Sequence, residues 1–167
     1  MADYKTAVAK TLVHEGGFQK DPDDHANWSS GVIGEGELIG TKYGITALDM
    51  PGVIIENITE AQAIAFYAEH YWKPGYSQIQ SQEIADKVFD MGVLFGVGVA
   101  VSLLQLTLGV HVDGVFGGET LDSANGADPA SLLESYKAHL ITHAFNIGTA
   151  NPHERKDIPG WGVRINS

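Results

Sequence analysis

The sequence predicts a mainly α-helical domain with a small β-hairpin and loop insert after the first helix. Three observations predict it. Apolar residues recur at helical spacing over most of the chain. Helix-capping residues stand ahead of several of these runs. One segment, residues 18–46, breaks the pattern by being polar and rich in Gly, Asp and Ser.

Tyr4, Val8 and Leu12 recur at i, i+4 and i+8, which predicts a helix over 3–14. Gly16-Gly17 ends it. The insert that follows carries three short β-like pieces: Gly31-Val32-Ile33, Glu37-Leu38-Ile39 and Tyr43-Gly44-Ile45. Gly34 and Gly36 would turn a hairpin between the first two. Thr59 and Gln62 form a capping box for the next helix, which Pro74-Gly75 stops. Ser81 caps a helix whose stripe is Ile84, Ala85, Val88, Phe89, Gly92 and Val93. A short helix follows from Val99 to Leu108, and Asp113-Gly114 and Gly117-Gly118 mark a tight loop. Asp128-Pro129 opens a long helix lined by Leu132, Leu133, Tyr136, Leu140, Ala144 and Phe145. The tail, Asn151 to Ser167, reads as irregular, anchored by Trp161.

Composition excludes several function classes. There are no cysteines, so disulfides, thiolate catalysis and Cys-bound metals are out. Ten basic and twenty-one acidic residues give a net charge of −11. That charge gives no electrostatic reason to bind nucleic acid or an anionic membrane. No run reaches the roughly 20 apolar residues of a membrane span. The start, MADYKTAVAK, has no basic segment ahead of an apolar stretch, so no secretory signal peptide is read.

The stretch HEGGFQKDPDD, His14 to Asp24, holds the chemistry. One reading is a frayed helix end and a solvated acidic loop. The other is two carboxyl environments placed apart. Glu15 would sit at the negative end of a helix, near Phe18, where the ionised form is disfavoured. The cluster of Asp21, Asp23 and Asp24 lies in a polar loop, where carboxylates stay ionised. An acid and a base or charge stabiliser are the parts of glycoside hydrolysis.

Five motifs in order carry a resemblance over residues 4–165: HEGGFQKDPDD, TKYGIT at 41–46, FYAEHYWKP at 66–74, the apolar run 89–110, and DGVFGGETLDSAN at 113–125. Together they resemble the N-acetylmuramidases of glycoside hydrolase family 108, many of them phage or prophage endolysins and some labelled secretion activators. The resemblance implies a lysozyme-like fold and cleavage of peptidoglycan glycan strands. It makes Glu15 the general acid and places the second Asp of the family's D-P-x-D on Asp24. Glu and Asp with eight residues between them and a Thr beyond also resemble the T4-type phage lysozymes, which makes Thr41 a candidate to orient water or the Asp. The chain departs from the family in a long insert, Ala26 to Gly40, between Asp24 and Thr41, and in Leu94, where an Asn is common.

The expected organisation is one lysozyme-like domain. Residues 1–75 would form a catalytic lobe, and 76–167 a helical lobe resembling a predicted peptidoglycan-binding segment. The expected reaction is hydrolysis of the β-1,4 bond between N-acetylmuramic acid and N-acetylglucosamine. The alternative is a non-catalytic wall-binding or secretion-assisting protein on the same fold. Tyr43, Trp28 and Trp72 are the candidate sugar-stacking aromatics, although Trp72 with Tyr71 also fits a core stripe. DGVFGGET resembles a glycan-binding motif, yet its Gly pairs also suit a tight turn. His139 and His143 stand at i, i+4 without a HExxH pattern, so no metal and no cofactor are expected. Asp90, on an apolar face, is expected buried and hydrogen-bonded. Expected partners are glycan strands, with no nucleic acid, no membrane span and a monomeric state. The protein is expected to be made in the bacterial host cytoplasm and to reach the wall through a holin or another route. An enzyme this acidic should gain on an anionic wall as salt screens repulsion.

Overall fold

The computed structural model describes residues 1–152 and 154–167. Seven α-helices form among them: α1 Tyr4–Glu15, α2 Glu60–His70, α3 Gln82–Phe95, α4 Val97–Leu108, α5 Gly118–Gly126, α6 Pro129–Ala150 and α7 Ile158–Asn166. The fold is mainly α, as the periodicity predicts. Internal packing groups the chain into two units: Met1–Ala7 with Tyr71–Ser167, and Val8–His70.

The larger unit is organised by α3. Ser81 caps it, its hydroxyl accepting from Ile84 N, and every residue from Ile84 to Gly92 is buried. Gly96, at φ +91°, breaks the chain between α3 and α4 in a conformation that L side chains rarely adopt. Leu104, Leu132, Tyr136, Leu140 and Ile165 complete the core. Burying each large side chain is worth about 1.5–3 kcal/mol before entropy opposes it. Tyr136 donates its hydroxyl to Ala100 O at 2.9 Å. Burial also pushes its phenol well above the usual tyrosine range, so it stays neutral.

Asp90 is buried and held by Arg164, whose Nη2 lies 2.9 Å from Oδ1 and whose Nε reaches both oxygens. This paired geometry secures α7 to α3 and leaves no uncompensated buried charge. Lys87 adds bonds to Arg164 O and Ser167 O. Residues 158–166 of the tail are therefore helical where the sequence reads as irregular. Pro159 occupies the first turn of α7, where its missing N–H costs nothing. Gly148 on α6 gives room to Ile158, which a Cβ would strike. Trp161 meets Phe95 edge-on at 5.7 Å, so the expected anchor is present. The α5 helix is also additional to the sequence reading.

The smaller unit contains most of α1, the insert and α2. Val8, Ile45, Ile55, Ile58, Ala63, Phe66 and Tyr67 form its core. The capping box at α2 is made: Thr59 N donates to Gln62 Oε1 at 2.9 Å, and Gln62 N donates to Thr59 Oγ1 at 3.3 Å. Among the described residues, pairing in this unit is limited to single antiparallel bridges, Gln19 with Thr41, Trp28 with Leu38 and Lys42 with Ile45. The expected hairpin over 31–39 is a run of turns. Gly31, Gly34 and Gly36 all have positive φ, and Ser30 Oγ donates to Glu35 O at 2.7 Å inside the loop. Val32 and Ile33, the apolar pair that mimics a strand, stand half-exposed at its tip.

Candidate active site

Glu15 is the last residue of α1 and is half-buried, with Oε1 withdrawn from solvent. The TKYGIT segment packs against it. Lys42 and Ile45 exchange backbone bonds of 3.1 and 2.9 Å around Tyr43-Gly44. Both central residues have left-handed φ, 53° and 70°, as a type I′ hairpin turn requires. Such a φ is strained for a tyrosine. Tyr67 on α2 holds it in place by donating its buried hydroxyl to Tyr43 O at 2.7 Å. A Cβ on Gly44 would collide with Glu15 Oε2 and come within 2.9 Å of the Tyr67 hydroxyl. The glycine of this motif is thus fixed twice, by φ and by the carboxyl lying over it.

Asp24 caps the 3-10 turn His25–Asn27, its Oδ1 accepting from Ala26 N at 3.0 Å. Its Oδ2 accepts from Gln19 Nε2 at 3.1 Å. Thr41 is buried, and its Oγ1 accepts from the same Nε2 at 2.7 Å. The two backbones also join Gln19 and Thr41 reciprocally, each bond 2.9 Å. The structure therefore brings Asp24 and Thr41 to one amide despite the insert between them.

Asn27 closes the base of that insert. Its carbonyl accepts from Ile39 N and Gly40 N at 2.8 and 3.0 Å, and its side chain donates to Gln19 Oε1 and Asp21 O. Gly40 lets the two segments meet, because a Cβ there would lie 2.6 Å from Gln19 O. Sequence reasoning passed over Gln19, Asn27 and Tyr67. The first lies inside the acidic stretch itself, but a neutral amide among carboxylates carries no chemical signal alone.

The aromatic candidates separate. Tyr43 sits in the turn over Glu15, with Lys42 Nζ 5.7 Å from its ring. Trp28 is half-buried in the insert and donates its indole N–H to Pro22 O at 2.9 Å. Trp72 lies in the larger unit, packed among Tyr4, Tyr76 and Phe89 at 5.3–5.6 Å and donating to Ser77 Oγ. Its contacts are those of a core stripe. His139 and His143 point to separate tasks: His139 Nδ1 pairs with Thr107 Oγ1 at 2.8 Å, and His143 meets Phe95 edge-on. Burial lowers the pKa of His143, favouring its neutral form. A cavity of about 400 Å³ in the smaller unit is lined by Met50, Val53, Phe66 and His70 and includes none of Glu15, Asp24 or Thr41.

Residues 8–96 match the sequence model of the family described as glycosyl hydrolase 108, and residues 99–166 match one described as a predicted peptidoglycan domain. The two matches meet at the Gly96 break between α3 and α4. No curated protein matches the chain. Among solved structures, that of Brucella abortus SagA shares the fold: TM-score 0.68, 19% identity, 97% of this chain and 92% of that chain covered.

Proposed function

We propose, starting from the fact that the chain belongs to the glycosyl hydrolase 108 family, that it cleaves the β-1,4 bond between N-acetylmuramic acid and N-acetylglucosamine in peptidoglycan. The match to a peptidoglycan domain supports the substrate class. One observation carries the assignment of the acid: the Glu15 carboxyl lies against the Tyr43-Gly44 turn with Oε1 out of solvent. Withdrawal from water opposes ionisation, which a proton donor needs at neutral pH.

Glu15 gives its proton to the glycosidic oxygen as the C1–O bond breaks. Positive charge develops on the sugar ring. Asp24 balances that charge or takes a proton from the incoming water, whose oxygen ends on C1. Thr41, tied to the same amide as Asp24, orients the water. Tyr43, in the turn that packs on the acid, offers a ring for stacking on a sugar. The enzyme acts at the cell wall after leaving a bacterial cytoplasm, in the manner of a phage endolysin.

The test is the sugar at the new reducing ends after digestion of purified sacculi and borohydride reduction. N-acetylmuramitol is the expected product. N-acetylglucosaminitol would refute the bond assigned. Sacculi bound but never cut would favour a wall-binding protein on the same fold.

A further inference from the structure

We propose that Gln19 is the positioning residue of this site, its side-chain amide setting the mutual orientation of Asp24 and Thr41 and the hydrogen-bonding role of each. The inference rests on the reading of those two residues as reaction groups. The amide's direction follows from its neighbours. Asp21 N is a donor only and lies 3.0 Å from Oε1, and Asn27 Nδ2 donates there too at 2.8 Å. The nitrogen must then face Asp24 Oδ2 and Thr41 Oγ1. Both of its hydrogens are engaged.

This fixes what the two partners can do. Thr41 Oγ1 receives a hydrogen from Gln19, so its own hydroxyl hydrogen is left to donate elsewhere, which is what holding a water oxygen requires. The Asp24 carboxylate, with Oδ1 on Ala26 N and Oδ2 on Gln19, is held in one rotamer. Asn27 holds the amide in turn and closes the insert, so the rotamer of Gln19 is itself supported. The insert between Asp24 and Thr41 is compatible with a working pair because this amide bridges its two ends.

Gln19→Ala and the near-isosteric Gln19→Glu test the role. In Gln19→Ala, kcat on soluble glycan strands should fall by about 100-fold with KM nearly unchanged, as expected of misplaced reacting groups. In Gln19→Glu the donor becomes a carboxylate beside Asp24, and the acid limb of the rate–pH profile should move to higher pH. In an Asp24→Ala, Thr41→Val background, Gln19→Ala should cost less than about threefold more, because it acts through those two groups. A folded Gln19→Ala with wild-type kcat overturns the inference, as does an unmoved pH profile or a full additional loss when both Asp24 and Thr41 are replaced. If Gln19→Ala does not fold, Gln19→Glu decides by the same readouts. Active Glu15→Gln would sink the assigned acid instead. An inert Glu15→Gln beside an unaffected Gln19→Ala would sink this inference alone, and wild type that releases no reducing ends overturns both.

Discussion

Two loops of this chain each gather aspartate, glycine and a nearby glutamine, and they use them in opposite ways. In the loop after α4, Gln105 is 2% exposed. Its Nε2 donates to Asp113 Oδ1, Val115 O and Thr120 Oγ1, and its Oε1 accepts from Asp113 N and Gly114 N. Every bond ends in the turn or in the first turn of α5. Gly114, at φ 72°, lies where a Cβ would come 3.0 Å from Gly98 O. In the loop after α1, Gln19 is exposed, and its amide joins a carboxylate and a hydroxyl that the sequence separates widely. The first amide shapes a turn. The second arranges two groups with chemistry to offer. Where the amide sits, and what it leaves available, separates the aspartate spent on a turn from the one proposed to act in the reaction.

Swapping the same atoms in both loops sharpens this contrast. Asp24→Ala should lower the rate of reducing-end release by about 10²–10⁴-fold, the usual worth of an acid–base group. Asp113→Ala should leave that rate within about threefold, since its bonds serve the turn. Next in size is stability. Gln105→Ala empties a buried site, breaks five hydrogen bonds and takes a donor from the buried Thr120 hydroxyl, and should cost about 2–4 kcal/mol, lowering Tm by about 4–16 °C. Gln19→Ala removes an exposed amide but takes one bond each from the buried Thr41 and Asn27, and should cost less, about 1–2 kcal/mol. Calorimetry showing the reverse order would break the comparison. Gly44→Ala should cost about 1–2 kcal/mol from left-handed strain and also displace Glu15, so its activity loss should exceed its stability loss.

The smallest effect is acidic. Gln105 and then the Val115 amide hold the Asp113 carboxyl below the usual carboxylate range. A depressed folded pKa gives stability that is full above the unfolded value and lost as pH falls through the folded one. The stability gap between wild type and Asp113→Asn should therefore narrow below about pH 4. A gap constant from pH 6 to pH 2 in denaturant titrations would contradict it.

Helices with both a periodic stripe and a cap were legible: α1, α2, α3 and α6. The α7 helix was not, because Pro159, Gly160 and Gly162 read as punctuation. Its order comes from tertiary partners, Asp90 under Arg164 and the fully buried Ile165. The α5 helix hid for another reason: Thr120 and Ala124 are its only buried residues, too few for a stripe. The hairpin expected over 31–39 failed because Val32-Ile33 supplied β propensity with no face to bury. At the candidate site, Glu15, Asp24 and Thr41 could be proposed from their order in the motifs, and the structure places Asp24 and Thr41 on one amide. Gln19 could not, since an amide acquires meaning only from what folding sets around it.

The proton attributed to Glu15 is tested most directly by Glu15→Gln, which keeps shape and removes the acid. Initial rates of reducing-end release from purified sacculi should fall by about 10²-fold or more, while sacculus binding and Tm stay near wild type. A Glu15→Gln protein that cuts sacculi at the wild-type rate would contradict the account.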